Sequence, residues 1–233
     1  MELTWIGQAG FLIRTGENAA VLIDPYLSDS LRENRRDERF RREIPVDPRY
    51  LATPDILVIT HLHEDHADFG TLDILFKGKK MYVIAPGQVI EALKERYGTL
   101  AEYISFAPGA EVTLKGMRFR AMPAEHSTKE AIGVSISGDG KTVWHTGDTL
   151  YHRSLPAEKL SPDLLILPIN GVGNNMNAAE AARLTGEVRP AAVLPMHWDM
   201  FKAFGTDPSE FCRLMENADI PVIMPEVYRP FSL

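Results

Sequence analysis

Residues 60–66 read Thr-His-Leu-His-Glu-Asp-His, directly after the apolar run Ile56-Leu57-Val58-Ile59. The run has the length and composition of a buried strand, so the stretch beyond it is a loop at a strand end. His61, His63, Asp65 and His66 stand at i, i+2, i+4 and i+5, spacings from which a loop can turn four side chains into one small volume. Neutral imidazole and carboxylate are ligands that Zn²⁺, Mn²⁺ and Fe²⁺ accept. The plainer reading is a solvated polar loop, but the chain has 7 His in all and three of them fall in this stretch. The loop therefore reads as metal-binding.

Outward from it, short apolar runs predict strands at 3–6, 10–14 and 19–23, with turns at Gly7–Gly10 and Gly16–Asn18, then strands at 56–60 and 81–85 and a helix over 89–97. Further strands are expected at 103–106, 110–114, 117–121, 132–137 and 141–146, with Gly138-Asp139-Gly140 as a tight turn. The runs 164–169 and 191–197 bracket a helix over 178–185, for which Asn177 and Glu180 form an N-terminal capping signature. Asp207-Pro208-Ser209-Glu210 predicts a second helix start, with the cap at Asp207 and Pro208 at the first helical position. Strands followed by helices, twice over, suggest two packed sheets with helices outside, though pattern alone says only α/β or α+β. No Ser/Gly linker or low-complexity tract divides the 233 residues, so one domain over 1–233 is expected.

Apolar residues make up 45% and charged residues 24%, the balance of an ordinary globular chain. A net charge of −7 argues against wholesale attraction to nucleic acid or anionic lipid. Cys212 is the single cysteine, so any metal must be held by His and carboxylates. Its neighbours Phe211, Leu214 and Met215 mark it as a buried packing residue. The chain has no 18-residue apolar run and no basic, apolar leader at its start, so no membrane span or signal peptide is expected, with a cytoplasmic location as the default.

The His-x-His-x-Asp-His pattern after a buried strand resembles the hallmark of the metallo-β-lactamase superfamily. Its other motifs are matched in order by Leu22-Ile23-Asp24-Pro25, by His126 in Pro-Ala-Glu-His-Ser, by Asp148 in His-Thr-Gly-Asp-Thr and by His197 in Leu-Pro-Met-His-Trp. The resemblance implies an αββα sandwich, two packed mixed β-sheets with helices on both outer faces. It also implies two divalent ions, Mn²⁺ or Zn²⁺ with Fe²⁺ as an option. His61, His63 and His126 would hold one, Asp65, His66 and His197 the other, and Asp148 would bridge them together with a water or hydroxide that serves as nucleophile. On that reading Asp65 and Asp148 are the catalytic carboxylates, Asp65 orienting or deprotonating the water. Asp24 would steady a ligating His through its ring N–H. Two divalent cations outweigh two carboxylates and a hydroxide, which favours a small anionic substrate.

Within the superfamily the chain looks closest to the L-ascorbate-6-phosphate lactonase family, on Trp5-Ile6-Gly7-Gln8-Ala9-Gly10-Phe11, Ile23-Asp24-Pro25-Tyr26-Leu27-Ser28-Asp29-Ser30, and His197-Trp198-Asp199 followed by Asp207-Pro208. That resemblance implies cytoplasmic lactone hydrolysis and is compatible with a homo-oligomer. A phosphodiesterase acting on a small substrate is the nearest alternative, because two-metal sites also support displacement at phosphorus. A flavodiiron-like redox protein is disfavoured by His63, where that group has Glu, and a non-catalytic scaffold would not need seven ligand positions.

Asn170, Asn174 and Asn175 lie in a Gly-rich loop after a strand and are candidate substrate contacts. The segment 31–45 carries Arg32, Arg35, Arg36, Arg39, Arg41 and Arg42 at a net +2. Its plain reading is a solvated helix with i,i+4 pairs such as Asp37 with Arg41. The sharper one sends one or two arginines into the cleft to meet a phosphate or carboxylate. His145 is expected as a satisfied core residue or one that steadies a ligand, and His152 as a surface residue, with a proton donor facing the cleft as its alternative; neither is assigned a role.

Overall fold

A computed structural model describes residues 1–16 and 19–233. The turn expected at Gly16–Asn18 lies, apart from Gly16, outside the described residues. In chain order, β1 (Glu2–Gly7), β2 (Gly10–Arg14) and β3 (Ala20–Ile23) precede α1 (Ser30–Arg35), β4 (Ile56–Val58), α2 (Phe69–Leu75), β5 (Tyr82–Ala85), α3 (Gly87–Tyr97) and β6 (Glu102–Ser105). Then come β7 (Glu111–Leu114), β8 (Met117–Pro123), β9 (Ile132–Gly138), β10 (Lys141–His145), α4 (Ser154–Ala157), β11 (Leu164–Pro168), α5 (Ala178–Val188), β12 (Ala192–Met196), α6 (Ser209–Asn217) and β13 (Phe231–Ser232).

Among the described residues the strands form two mixed sheets, of order β13-β1-β2-β3-β4-β5-β6 and β12-β11-β10-β9-β8-β7. Each begins antiparallel and turns parallel, at β3/β4 in the first sheet and at β10/β11 in the second. The runs that are apolar at every position are the parallel strands, which must be covered on both faces. Side chains alternate accordingly. Val21, Ile23, Ile56, Val58 and Ile84 face Phe119, Val134, Ile136, Leu164 and Ile166 of the other sheet. Leu22, Leu57 and Val83 face outward and are buried with Leu72 and Leu75 of α2 and Val89 and Leu93 of α3. In the second sheet Leu165, Leu167 and Val193 face α5 and α6, under Leu184, Phe211 and Met215. The expected αββα sandwich follows, and no described helix is long and apolar enough to cross a membrane.

The capping box at α5 is formed in both directions, Glu180 N donating to Asn177 Oδ1 at 3.0 Å and Asn177 N to Glu180 Oε2 at 3.1 Å. At α6 the cap side chain is Asp207, which accepts from Ser209 N at 2.9 Å, but the helix starts one residue later than expected, with Pro208 at the boundary. Cys212 is half-buried, where full burial was expected.

The segment 31–45 departs furthest from its reading. It is no continuous helix: α1 stops at Arg36, whose φ is 53°, and a 3₁₀ turn follows over Glu38–Phe40. Asp37 caps that turn through Arg39 N and pairs with Arg39 at 2.7 Å instead of with Arg41. A short acid that bonds its own backbone competes with helix continuation, while Phe40 pulls the chain inward against Tyr26, Leu31 and Phe201.

Because the space between the sheets is packed, Ile166→Ala should lower the free energy of unfolding by about 2–5 kcal/mol. Asn177→Ala, which strips one cap, should cost about 1 kcal/mol. Urea denaturation of both variants checks the ranking.

Candidate metal centre

The seven His and Asp residues singled out in the sequence all stand just beyond the C-terminal ends of strands, in loops from both sheets, the usual place for ligands in sheets of this kind. The loop after β4 supplies His61, His63, Asp65 and His66. It is pinned from behind by Asp24 at the end of β3, which accepts from Thr60 N at 2.8 Å and from Thr60 Oγ1 at 2.6 Å. The other Asp24 partner is His66 Nδ1, 2.8 Å from Oδ2. Backbone bonds from His66 N and Ala67 N to His63 O then close the loop into a turn.

The second sheet sends His126 from beyond β8, Asp148 from beyond β10 and His197 from beyond β12. Gly147 has a φ of 63° and could not be replaced, since a Cβ there would lie 2.5 Å from Ile132 O. His145, fully buried, holds this turn by accepting from Gly147 N at 3.1 Å, and its Nε2 lies 3.0 Å from Ala9 O. It is thus a satisfied core residue as expected, and His152 is an exposed one beside Ser154 and Glu125.

The donor atoms converge. His63 Nδ1 lies 3.1 Å from His61 Nε2 and 3.0 Å from His126 Nε2. On the other side His66 Nε2 lies 3.1 Å from His197 Nε2 and 3.7 Å from Asp65 Oδ2. Asp148 stands between the two groups, its Oδ1 at 2.8 Å from His197 Nε2 and 3.3 Å from His66 Nε2, its Oδ2 at 3.9 Å from His126 Nε2. Three overlapping sets, His61/His63/His126, His61/His66/Asp148 and Asp65/His66/His197, each bring one donor atom per residue within 4.8 Å of the others.

The chemistry of this set fits cations. Imidazole lone pairs facing each other at 3.0–3.1 Å repel unless a proton or metal lies among them. Asp148 Oδ1 is buried and, despite the nitrogens nearby, has no hydrogen-bond partner among the described residues. Burial alone would push the His66 imidazole down, but Asp148, Asp65 and Asp24 outweigh it and hold the pKa well above its ordinary value. Burial would likewise raise Asp148, yet His197 and His66 hold it well below the usual carboxylate range. His61, His63 and His126 are pushed down, chiefly by burial, and so stand as neutral nitrogen donors.

A cavity of about 390 Å³ opens over the cluster, with His63, Asp65, Asp148 and His197 on its floor. Asn170 and Asn174 line its wall; Asn174 also offers its carbonyl oxygen to His126 Nδ1 at 3.1 Å. Asn175 reaches the same cavity but is 4% exposed, its amide spent on Asp148 Oδ2 at 2.9 Å. Of the six arginines in 31–45, Arg35 lines the cavity, stacked over the Phe40 ring at 4.6 Å and 3.8 Å from Glu64. Arg42 is buried elsewhere, donating to Tyr26 O, to Ile6 O and to Tyr228 Oη. Two residues of the site carried no assigned role in the sequence reading: Thr60, and Gln8, whose amide lies against Asp65 and His197. Thr60 had a local signal, adjacency to His61. Gln8 had none beyond its place in Trp5-Ile6-Gly7-Gln8-Ala9-Gly10-Phe11.

The family model described as a beta-lactamase superfamily domain matches residues 19–198. The chain belongs to the metallo-β-lactamase superfamily. Within it, the chain is similar to UPF0173 metal-dependent hydrolases, at 28% identity to one from Thermoplasma acidophilum over 100% of this chain and 99% of that protein. One from Aeropyrum pernix is 31% identical over 94% of this chain and 91% of its own. Among solved structures, Igni18, a metallo hydrolase from Ignicoccus hospitalis, superposes with a TM-score of 0.77 at 25% identity, covering 100% of this chain and 98% of that one.

The raised His66 pKa sets the sign of a pH effect. The metal-free chain keeps the His66 proton above the pH at which a free imidazole loses it, so an entering cation must displace it. Mn²⁺ uptake at about pH 7.5 should release protons, and apparent affinity should rise with pH. Calorimetry in buffers of different ionisation enthalpy reads both. Asp24→Asn should weaken uptake by about 10–100-fold, and unchanged affinity would remove Asp24 from the site.

Proposed function

We propose that this chain is a metal-dependent hydrolase that opens a lactone ester on a small anionic, sugar-like substrate. The observation that carries the reading is the pair of donor groups meeting at Asp148 on the floor of a substrate-sized cavity with Arg35 in its wall. Relatives over the whole chain named metal-dependent hydrolases support the hydrolytic part. His61, His63 and His126 would hold one divalent ion and Asp65, His66 and His197 the other, with Asp148 shared. Two such ions lower the pKa of water towards neutrality and polarise a carbonyl oxygen.

The chain's own residues do the rest. Asp65, which lines the cavity, would orient the attacking water and take its proton. Water oxygen bonds to the lactone carbonyl carbon, the ring C–O bond breaks, and the departing alkoxide takes up a proton to give the open hydroxy acid. Asn175 fixes the Asp148 carboxylate, and Asn174 fixes His126. Asn170 and Asn174 offer amides to substrate hydroxyls along the wall. Arg35, its guanidinium steadied on Phe40, meets the anionic group. A cavity with few cations in an acidic chain suits a small anion better than a nucleic acid.

Metal-stripped protein reconstituted with Mn²⁺ or Zn²⁺ should hydrolyse a phosphorylated sugar lactone, and Asp148→Asn should abolish the activity. Cleavage of bis-p-nitrophenyl phosphate in place of the lactone would overturn the lactonase reading and favour a phosphodiesterase. Asp65→Asn should lower kcat by about 10²–10⁴-fold. Arg35→Ala should instead raise KM by about tenfold with kcat held; an unchanged KM would take Arg35 out of substrate binding.

A further inference from the structure

Gln8 sits in the turn between β1 and β2, remote in sequence from every donor of the cluster. Its side chain is 1% exposed, and its Nε2 donates to Asp65 Oδ2 at 2.8 Å and lies 2.9 Å from His197 Nδ1. One amide thus touches two members of the same donor set, Asp65/His66/His197. Among the described residues it makes no hydrogen bond to His61, His63 or His126. We propose that Gln8 is a positioning residue for that one metal group, and that it tunes the second ion independently of the first. The proposal rests on the two-ion reading above.

The turn itself argues that the side chain matters. Gln8 has a φ of 53°, a region where glycine sits without strain and a glutamine does not. The turn is held in place by bonds that do not involve the amide: Trp5 Nε1 donates to Gln8 O at 3.1 Å, and His145 Nε2 lies 3.0 Å from Ala9 O. The Trp5 ring stacks on Trp198, the neighbour of His197, with centroids 5.8 Å apart. Backbone and aromatic contacts therefore bring position 8 to the cluster, and the amide is what it delivers there.

Its chemistry suits the position. A neutral amide can hydrogen-bond a carboxylate and an imidazole together without adding charge to a site that already holds Asp65 and Asp148. With the amide donating, His197 Nδ1 accepts and the ring proton sits on Nε2, 2.8 Å from Asp148 Oδ1 and 3.1 Å from His66 Nε2. An ion taken up at Nε2 would move that proton to Nδ1 and shift the amide so that Oε1 receives it while Nε2 stays on Asp65. Outer partners of this kind set the orientation of metal ligands and, with it, affinity. Thr60 Oγ1 serves both groups, 3.0 Å from His61 Nδ1 and 3.4 Å from His66 Nδ1, whereas Asn174 O, 3.1 Å from His126 Nδ1, anchors the other group and Gln8 this one. The two groups can accordingly be loosened separately.

The test is stepwise Mn²⁺ titration of the metal-stripped full chain by calorimetry, with bound metal counted by mass spectrometry. Wild type should take two ions. Gln8→Leu should bind the first as wild type does and the second about 10–100-fold more weakly. Gln8→Gly, which keeps and relaxes the left-handed turn, should show the same selective loss. A glycine variant with wild-type uptake of both ions would make position 8 a backbone element and overturn the proposal. Equal weakening of both ions in either variant would overturn it as well, as general loosening of the fold. A wild-type chain that takes one ion fails the two-ion reading first, and the proposal falls with it; that titration is read before any variant.

Discussion

Asp24 is fully buried at the end of β3, and its carboxylate receives the backbone N–H and the hydroxyl of Thr60 while facing His66 Nδ1 at 2.8 Å. A buried carboxylate without partners is costly, so these contacts are met together or the strand end cannot close. Meeting them decides where the chain leaves β4 and how the loop through His61, His63 and His66 turns. The same oxygen that satisfies the fold also directs a ring nitrogen of the cluster. Fold and site share one interaction there, and the remaining donors are arranged around a loop that is already set.

The second constraint is charge. Five imidazoles and two carboxylates meet in a place where His61, His66, Asp148 and His197 are at most 4% exposed. Such a concentration of lone pairs opposes folding unless cations or protons lie within it. The opposed shifts of His66, held up by three carboxylates, and of Asp148, held down by two imidazoles, are the metal-free chain's response. The scaffold can carry this load because the donors leave strand ends whose preceding residues are locked in the core, as Leu194 and Met196 before His197 are between the two sheets. Donors from both sheets meet across the seam, so neither sheet alone makes the site.

Above the cluster the walls are less constrained. Arg35 reaches the cavity because α1 ends at Arg36 and Phe40 anchors the turn behind it. The donor cluster is thus built on strand ends that the core holds, and the cavity wall on loops that fewer contacts hold. Relatives sharing about a quarter to a third of their residues can keep the first and change the second.

Much of the architecture was legible in the sequence because it is local. Runs such as Leu164–Pro168 are apolar at every position because both faces are covered, and Asn177 with Glu180 marks a helix start three residues apart. The His-x-His-x-Asp-His loop is likewise local, as is the strand that precedes it, and the resemblance supplied the distant members. What only the tertiary structure decided are the contacts with no fixed spacing. Gln8 meets Asp65 and His197 across 57 and 189 residues, and Arg42 is buried on Tyr26, Ile6 and Tyr228 while Arg35 lines the cavity. The helix expected over 31–45 breaks because the burial of Phe40 and the capping by Asp37 outweigh its i,i+4 pairs. Periodicity reports which face of an element is apolar; which polar side chain fills the last gap in a buried cluster depends on where the two sheets bring distant loops together.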